Sequence, residues 1–172
     1  SLLEMNVGGV VSPITDAVQL TTGASVICVV RSNGQLFCQG NQWQNALGNG
    51  VTTSTTTPTT VRMTALGNVN ITDACHDGRA GCVIHSGGRV SCFGRTDSLM
   101  YRADVSTAAG LITDAVQLEC ADETGTGSTL GYACVRRSGG VVSCWGRNST
   151  HATLATNIGL TGAVDLAVTT GP

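Results

Sequence analysis

Eight cysteines are the residues of this sequence with the most chemistry to offer, and six of them form a regular pattern. A cysteine, nine residues and a second cysteine occur three times, as Cys28 to Cys38, Cys82 to Cys92 and Cys134 to Cys144. The middle of each spacer reads Ser-Asn-Gly or Ser-Gly-Gly. Such a triplet is typical of a three-residue hairpin loop that needs glycine at a positive φ.

Counting outward from each loop centre places the two cysteines of a pair opposite each other on antiparallel strands. Directly opposed residues have Cα atoms roughly 4.5 to 5.5 Å apart, which is within or near the range that a disulfide spans. We therefore predict three hairpin disulfides, each closing a loop of eleven residues. The chain-entropy estimate for each is about 2.5 to 3 kcal/mol of stability.

The other two cysteines, Cys75 and Cys120, lie outside the hairpins. Elimination leaves them as a pair that ties neighbouring repeats together, with a bond between chains or two free thiols as alternatives. Cys75, His76, Asp77 and Cys82 are residue types that bind zinc. Their spacing lacks the tight cysteine pairs of structural zinc sites, and Cys82 already has a hairpin partner. We therefore predict no metal ion and no cofactor.

Only three histidines, His76, His85 and His151, are available as a catalytic base. Catalysis needs a nucleophile, a base and an orienting group that converge. His85 adjoins a hairpin turn, where we expect a solvated side chain, and His151 has no acidic neighbour. His76 and Asp77 are adjacent and should point to opposite faces of a strand. The sequence therefore predicts a protein that is not an enzyme.

Three polar segments have simpler interpretations than binding sites. Residues 122–129 offer oxygen ligands but lack the alternating register of a calcium loop, so we expect a hydrated loop. The threonine-rich residues 51–58 predict a polar loop or an extended sheet edge. The adjacent Arg136 and Arg137 are expected on an exposed hairpin arm.

An internal repeat organises the hairpins. Ile-Thr-Asp-Ala-Val-Gln-Leu at residues 14–20 returns at 112–118 with seven identities in seven positions. Residues 71–74 are a shorter copy and 161–166 a degenerate one. We therefore predict a single repeat domain over 1–172, with repeats at approximately 14–70, 71–111 and 112–159 and a partial repeat at 160–172. Short alternating runs without helical periodicity predict the all-β class.

Composition bounds the compartment and the partners. Nine arginines and no lysine oppose eleven acidic residues for a net charge of -2, which gives no basic face for nucleic acid or an anionic membrane. No apolar run reaches the roughly 18 residues of a membrane-spanning helix, so we predict no membrane insertion. An even and dense set of cysteines favours an oxidising, extracellular or cell-surface location. The N-terminus shows no signal peptide, and we expect a mature or excised chain.

The sequence Ala-Cys-Val-Arg-Arg-Ser-Gly-Gly-Val-Val-Ser-Cys-Trp-Gly-Arg-Asn at residues 133–148 resembles the regulator of chromosome condensation repeat. Residues 81–94 and 28–40 are further copies, and 45–50 resemble the glycine-leucine-glycine turn that follows the hairpin in that family. The chain is most similar to cysteine-bearing variants in secreted and surface proteins of bacteria. The resemblance implies β-propeller blades, here about three and a half of them.

Seven blades of about 50 residues need roughly twice this chain, so sheet edges and blade faces should be uncovered. We expect an extracellular structural or adhesive subunit of a surface assembly or filament, which associates with copies of itself as a homo-oligomer. The competing hypothesis is a protein-binding propeller fragment, either an inhibitor or a receptor domain. A hydrolase is a third class that the sequence supports least.

Overall fold

The regular structure of this protein is entirely β-strand in the residues that its computed structural model describes, which are 4–7, 10–40, 46–48, 55–60, 70–94, 103–121, 131–146 and 155–169. Three antiparallel sheets of four strands each, here called blades, follow one another along the chain. Two small two-stranded hairpins complete the set of strands in these ranges. The predicted all-β class is confirmed.

The strands of each blade are in chain order. Blade 1 consists of β3 (Ala17–Gly23), β4 (Val26–Arg31), β5 (Leu36–Gly40) and β6 (Thr55–Thr60). Blade 2 consists of β7 (Ile71–His76), β8 (Ala80–His85), β9 (Arg89–Gly94) and β10 (Ala103–Asp104). Blade 3 consists of β13 (Ala115–Ala121), β14 (Tyr132–Arg137), β15 (Val142–Gly146) and β16 (Thr156–Asn157). The small hairpins pair β1 (Glu4–Val7) with β2 (Val10–Pro13) and β11 (Ser106–Thr107) with β12 (Gly110–Leu111).

The central hairpin of each blade has the predicted turn and register. Three residues close each turn, and the last of them is Gly34, Gly88 or Gly140, with φ of 75°, 77° and 74°. The cysteines of each hairpin are direct partners with Cα atoms 4.0 to 4.1 Å apart and are disulfide-bonded. The expectation of disulfide-linked hairpins on propeller-like blades is confirmed.

The first strands of neighbouring blades contact one another, and we call β3, β7 and β13 the inner strands. Each inner strand has a β-bulge after its first residue, because the pairing with the second strand shifts by one residue there. The extra residues are Val18, Thr72 and Val116, and their side chains are exposed. The bulge therefore turns one side chain of every inner strand away from both neighbouring blades.

The hydrophobic core is divided between the two junctions that join the blades. The junction of blades 1 and 2 buries a cluster that includes Leu36, Leu47 and Phe93. The junction of blades 2 and 3 buries a larger cluster that includes Leu118 and Trp145. Blade 2 contributes alternate residues of its strands to the two clusters, since successive side chains point to opposite faces. Docking of one blade on the next is therefore the main source of apolar burial.

The shorter repeat copy at residues 71–74 is out of register with the other two. Three equivalent bonds run from the serine after the hairpin arm to the residue that precedes the inner strand: Ser32 N to Asp16 O, Ser86 N to Asn70 O and Ser138 N to Asp114 O. Asn70 is therefore the equivalent of Asp16 and Asp114, and the aspartate of the shorter copy lies three residues further along. Matching the letters Ile-Thr-Asp-Ala gave the wrong register for blade 2.

The polar insertions are only partly described. The threonine-rich segment forms the outermost strand of blade 1 over Thr55–Thr60, as the sheet-edge interpretation predicted, with Pro58 in that edge strand. Residues 51–54 and the acidic loop at 122–129 lie outside the described residues.

Candidate functional site

Each blade docks onto the hairpin turn of the blade before it through the same backbone contact. The carbonyl of the last turn glycine accepts a hydrogen bond of 3.0 Å from the first amide of the next inner strand. The three donor–acceptor pairs are Ile71 N to Gly34 O, Ala115 N to Gly88 O and Ala163 N to Gly140 O. A Cβ on any of these glycines would come within 2.7 or 2.8 Å of backbone atoms that lead into the next inner strand or segment. Glycine is therefore required both for the turn and for the approach of the next blade.

A side chain in the third position of each inner strand bridges to the following inner strand. The Gln19 amide nitrogen donates to Asp73 Oδ1 at 2.5 Å and to the Ala74 carbonyl at 3.0 Å. Gln19 Oε1 accepts the Ala74 amide at 3.0 Å. Asp73 Oδ2 in turn accepts the amide of Leu118 in blade 3 at 2.7 Å. Side chains therefore supply the polar contacts between inner strands that do not pair with one another.

The segment that follows blade 3, residues 161–169, occupies the place of a fourth inner strand. Gln117 Nε2 donates to Asp165 Oδ1 at 2.7 Å and to the Leu166 carbonyl at 2.9 Å, as Gln19 does to Asp73 and Ala74. We call residues 161–169 the terminal inner segment. The degenerate repeat copy at 161–166 is therefore equivalent in space, as well as in sequence, to the start of a blade.

Acidic groups accumulate along these inner strands. Burial raises the pKa of Asp73 above its ordinary value. Burial, together with the negative charges of Asp73 and Asp165, raises the pKa of Glu119. The hydrogen bond from Gln117 lowers the pKa of the Asp165 carboxyl. Within the described ranges these carboxylates do not combine with other ligands into a group of three that could hold a metal ion.

Ion pairs at the hairpin arms of blades 1 and 3 hold the residue that precedes the inner strand. Arg31 Nε lies 2.7 Å from Asp16 Oδ1, and Arg137 Nε lies 2.6 Å from Asp114 Oδ1. The expectation of an exposed Arg136–Arg137 arm was wrong. Both side chains are half-buried, and Arg136 Nε donates to the Gln117 side chain at 3.0 Å. The arginines therefore serve the blade structure.

Both described histidines are buried structural residues. His76 Nδ1 accepts the Gly78 amide at 2.8 Å, and its Nε2 lies 2.9 Å from the Ala46 carbonyl of blade 1. Burial lowers the pKa of His76 and so favours the neutral ring that these contacts need. His85 was expected to be solvated, which was wrong, because it is 1% exposed and its Nε2 lies 2.8 Å from Ser91 Oγ. The Ser91–His85 pair has the spacing of a nucleophile and base, but substrate cannot reach it because the serine is also buried.

The residues considered for zinc take separate structural roles. Cys75 is disulfide-bonded to Cys120, with Cα atoms 5.4 Å apart, which joins the inner strands of blades 2 and 3. Cys82 is bonded to its hairpin partner. Asp77 Oδ1 accepts the amides of the turn that follows β7, and its Oδ2 accepts the Gly131 amide of blade 3 at 2.7 Å. His76 and Asp77 therefore reach opposite neighbouring blades, as their adjacency predicted.

Exposed apolar side chains on the inner strands form the candidate interaction site. We call Val18, Leu20, Val116 and Val164 the inner-strand surface; their exposed fractions are 65%, 60%, 46% and 88%. Leu118, which is equivalent to Leu20, is only 1% exposed because blade 2 covers it. Exposed apolar side chains at these positions are candidates for contact with another macromolecule. This site was not predicted from the sequence, although the repeated Val-Gln-Leu of residues 18–20 and 116–118 was its signal.

The arrangement of consecutive four-stranded blades, each docked to the next through its inner strand, is that of a partial β-propeller. The solved structure of human WBSCR16 matches with a TM-score of 0.68 and 17% identity over 88% of this chain. Yeast RCC1 (Prp20), solved with Kap60 bound to it, matches with a TM-score of 0.64 and 14% identity over 88% of this chain. Prp20p from Saccharomyces cerevisiae matches again with a TM-score of 0.57 and 12% identity over 86%.

The similarity is one of fold, because these identities are low. The chain spans about two-fifths of the solved structures it matches, from 40% to 41% of their length. No protein-family model matches this sequence, and no curated protein matches it. Of the residues with a described position, none belongs to a helix long and apolar enough to cross a membrane.

Proposed function

We propose that this chain is a non-enzymatic protein-binding module that acts outside the reducing cytosol through its inner-strand surface. The observation that carries the proposal is the exposure of Leu20, 60%, at a position where the equivalent Leu118 is buried by a neighbouring blade. Leu118 shows that a neighbouring blade can bury the leucine at this position of an inner strand. In blade 1 the exposed Leu20 side chain is therefore available to another protein. Burying one leucine contributes about 1.5 to 3 kcal/mol.

The fold supports protein binding as the kind of function. Yeast RCC1 was solved in a complex with Kap60, and the Saccharomyces cerevisiae protein was characterised for binding to Gsp1p and histones. The present chain has a net charge of -2 with nine arginines, so its surface favours a protein partner over nucleic acid. The partner is a copy of the chain itself or a second protein.

The buried histidines support a non-enzymatic role. His76 holds the loop of blade 1 with its neutral ring, and His85 is enclosed with Ser91 in the same junction. Neither ring is placed at the inner-strand surface, where a ligand would arrive. The inner-strand surface is therefore suited to recognise a protein through its apolar side chains and strand edges.

The four disulfides support an extracellular or cell-surface location of the secreted type. All eight cysteines are bonded, and the chain has no other cysteine. Disulfides of this density persist in oxidising compartments. We propose a structural or adhesive subunit of a surface assembly as the particular role, because an exposed blade face suits repeated association. An inhibitor or receptor domain would use the same surface for a different protein.

Site-specific photocrosslinking tests the proposal. Benzoylphenylalanine is placed at Leu20 and, as a control, at Ala109, an exposed turn residue away from the inner strands. Each protein is irradiated alone and with the secreted fraction of the cells that produce it. We expect a covalent adduct with a protein from position 20 and none from position 109. The proposal fails if position 20 gives no protein adduct, or if both positions give the same adducts.

A further inference from the structure

Asp165 in the terminal inner segment repeats the contacts of Asp73 in blade 2. Each Oδ1 accepts the side-chain amide of the preceding inner strand, from Gln117 and Gln19 respectively. Each Oδ1 also accepts the amide of its own following residue at 2.9 Å. Asp73 Oδ2 then accepts the Leu118 amide of the next inner strand, whereas no described residue donates to Asp165 Oδ2. Asp165 therefore presents an acceptor for one more inner strand.

The strand that meets Asp73 has an identical second copy in this chain. Residues 112–118 lead into that junction and supply the Leu118 amide. Residues 14–20 have the same seven residues in the same order, so Leu20 stands where Leu118 stands. Blade 1 therefore begins with the same sequence as the strand whose Leu118 amide donates to Asp73. Asp165 is in the position equivalent to Asp73.

The side of blade 1 that would meet a preceding strand is open in the described structure. Ala115 and Leu118 are buried against blade 2, whereas Ala17 and Leu20 are exposed. The Ala115 amide donates to the carbonyl of a preceding blade, and among the described residues no such carbonyl is offered to Ala17. Blade 1 thus has the donors and the apolar side chain of a docked blade, and no blade precedes it among the described residues.

The identity of residues 14–20 with residues 112–118 favours a second copy of the chain as the neighbour. A contact between the terminal inner segment of one copy and blade 1 of another is heterologous. Such a contact closes into a ring where the rotation permits and otherwise continues as a filament.

We propose that the chain associates head to tail, with β3 of one copy docked beside the terminal inner segment of a second copy so that Asp165 accepts the Leu20 amide. This inference rests on the proposed function and names the partner as the chain itself. The contact repeats the junction of blades 2 and 3 at the level of the inner strands. It buries Leu20 in the same way as Leu118.

Sedimentation velocity of the purified, non-reduced chain tests the inference. We expect an average mass that rises with concentration above the 17.5 kDa of the single chain. Leu20→Asp should weaken the association by about tenfold or more, since a charge would enter an apolar contact. Leu111→Asp is the matched control, because Leu111 is similarly exposed, 52% against 60% for Leu20, but lies on β12, outside the inner-strand surface.

A complementation experiment tests the head-to-tail geometry. Asp165→Asn keeps the oxygen that accepts from Gln117 and replaces the free acceptor by a donor, so it should also prevent self-association. Leu20→Asp retains an intact terminal segment and Asp165→Asn retains an intact β3. A mixture of the two variants should therefore form a heterodimer of about 35 kDa, twice the chain mass.

Three results would overturn the inference. They are a wild-type chain that stays at 17.5 kDa, equal effects of Leu20→Asp and Leu111→Asp, and a mixture that remains monomeric. A monomeric chain that crosslinks from position 20 to a different protein overturns self-association and leaves the proposed protein-binding function standing. A monomeric chain with no adduct from that position contradicts both.

Discussion

Gly87 and Gly88 are adjacent in the hairpin turn of blade 2 and allow the cost of blade docking to be separated from the cost of the turn. Their φ angles are 75° and 77°, so alanine is equally strained at the two positions. A Cβ on Gly87 would meet nothing within 4 Å. A Cβ on Gly88 would lie 2.8 Å from Thr113 O and 2.9 Å from Ala115 N, both backbone atoms of the approach to blade 3.

The difference between Gly88→Ala and Gly87→Ala follows from these distances. Alanine at positive φ costs about 1 to 2 kcal/mol, and reduced freedom of the unfolded chain returns about 0.4 to 1 kcal/mol in both variants. Gly88→Ala additionally forces a backbone contact apart, at about 1 to 3 kcal/mol, and weakens the 3.0 Å bond from Ala115 N to Gly88 O, worth about 0.5 to 1.5 kcal/mol. We expect Gly88→Ala to be less stable than Gly87→Ala by about 2 to 4 kcal/mol.

Urea unfolding with the disulfides intact, followed by the fluorescence of the buried Trp145, measures that difference. Amide hydrogen exchange adds a local measurement, because the Ala115 amide should lose protection in Gly88→Ala and keep it in Gly87→Ala. Equal free energies of unfolding, with Ala115 protected in both variants, would refute the reasoning that the turn glycine is the docking point of the next blade.

Two further predictions concern the junctions. Burial lowers the pKa of His76 below its ordinary value of 6.5, so its contribution to stability is present above pH 6.5 and is lost as the pH falls below it. The urea concentration at the unfolding midpoint should decrease less between about pH 8 and about pH 5 in His76→Gln than in the wild type. An equal decrease in the two proteins would contradict this prediction. Replacing Cys75 and Cys120, 45 residues apart, by serine should cost about 4 kcal/mol, against about 2.7 kcal/mol for Cys134 and Cys144, 10 apart. Thermal unfolding of the two double variants checks the order, which fails if the hairpin pair proves the more costly.

The hairpins could be predicted because everything that determines them is local. Ten residues separate the two cysteines of each pair, and the turn triplet fixes the register between them. A positive φ at the last turn residue needs glycine, which the sequence displays directly. Pairing, loop length and the direction of the cysteines were therefore all recoverable from a short window.

Apart from the Cys75–Cys120 bond, which elimination suggested, the junctions could not be predicted, because their partners are far apart in the chain. Gln19 and Asp73 are separated by 54 residues, and Asp73 also bonds the amide of Leu118, 45 residues further on. The sequence predicted a solvated His85 because it shows only the neighbours of this residue in the turn, whereas docking of the blades buries the side chain. The register predicted for blade 2 from four matching residues at 71–74 was wrong, because the structure pairs Ile71 with His85.

Each blade contacts the preceding and the following blade through different backbone groups, and this asymmetry has an evolutionary consequence. The span from Ala115 to Gly140 holds an amide that donates to the preceding blade and a glycine carbonyl that accepts from the following segment. At the level of this backbone contact, an in-frame duplication of one whole repeat therefore inserts a blade that fits both of its new neighbours. Genes for such proteins can lengthen or shorten by complete repeats, whereas a deletion of half a repeat would leave two like sides facing each other.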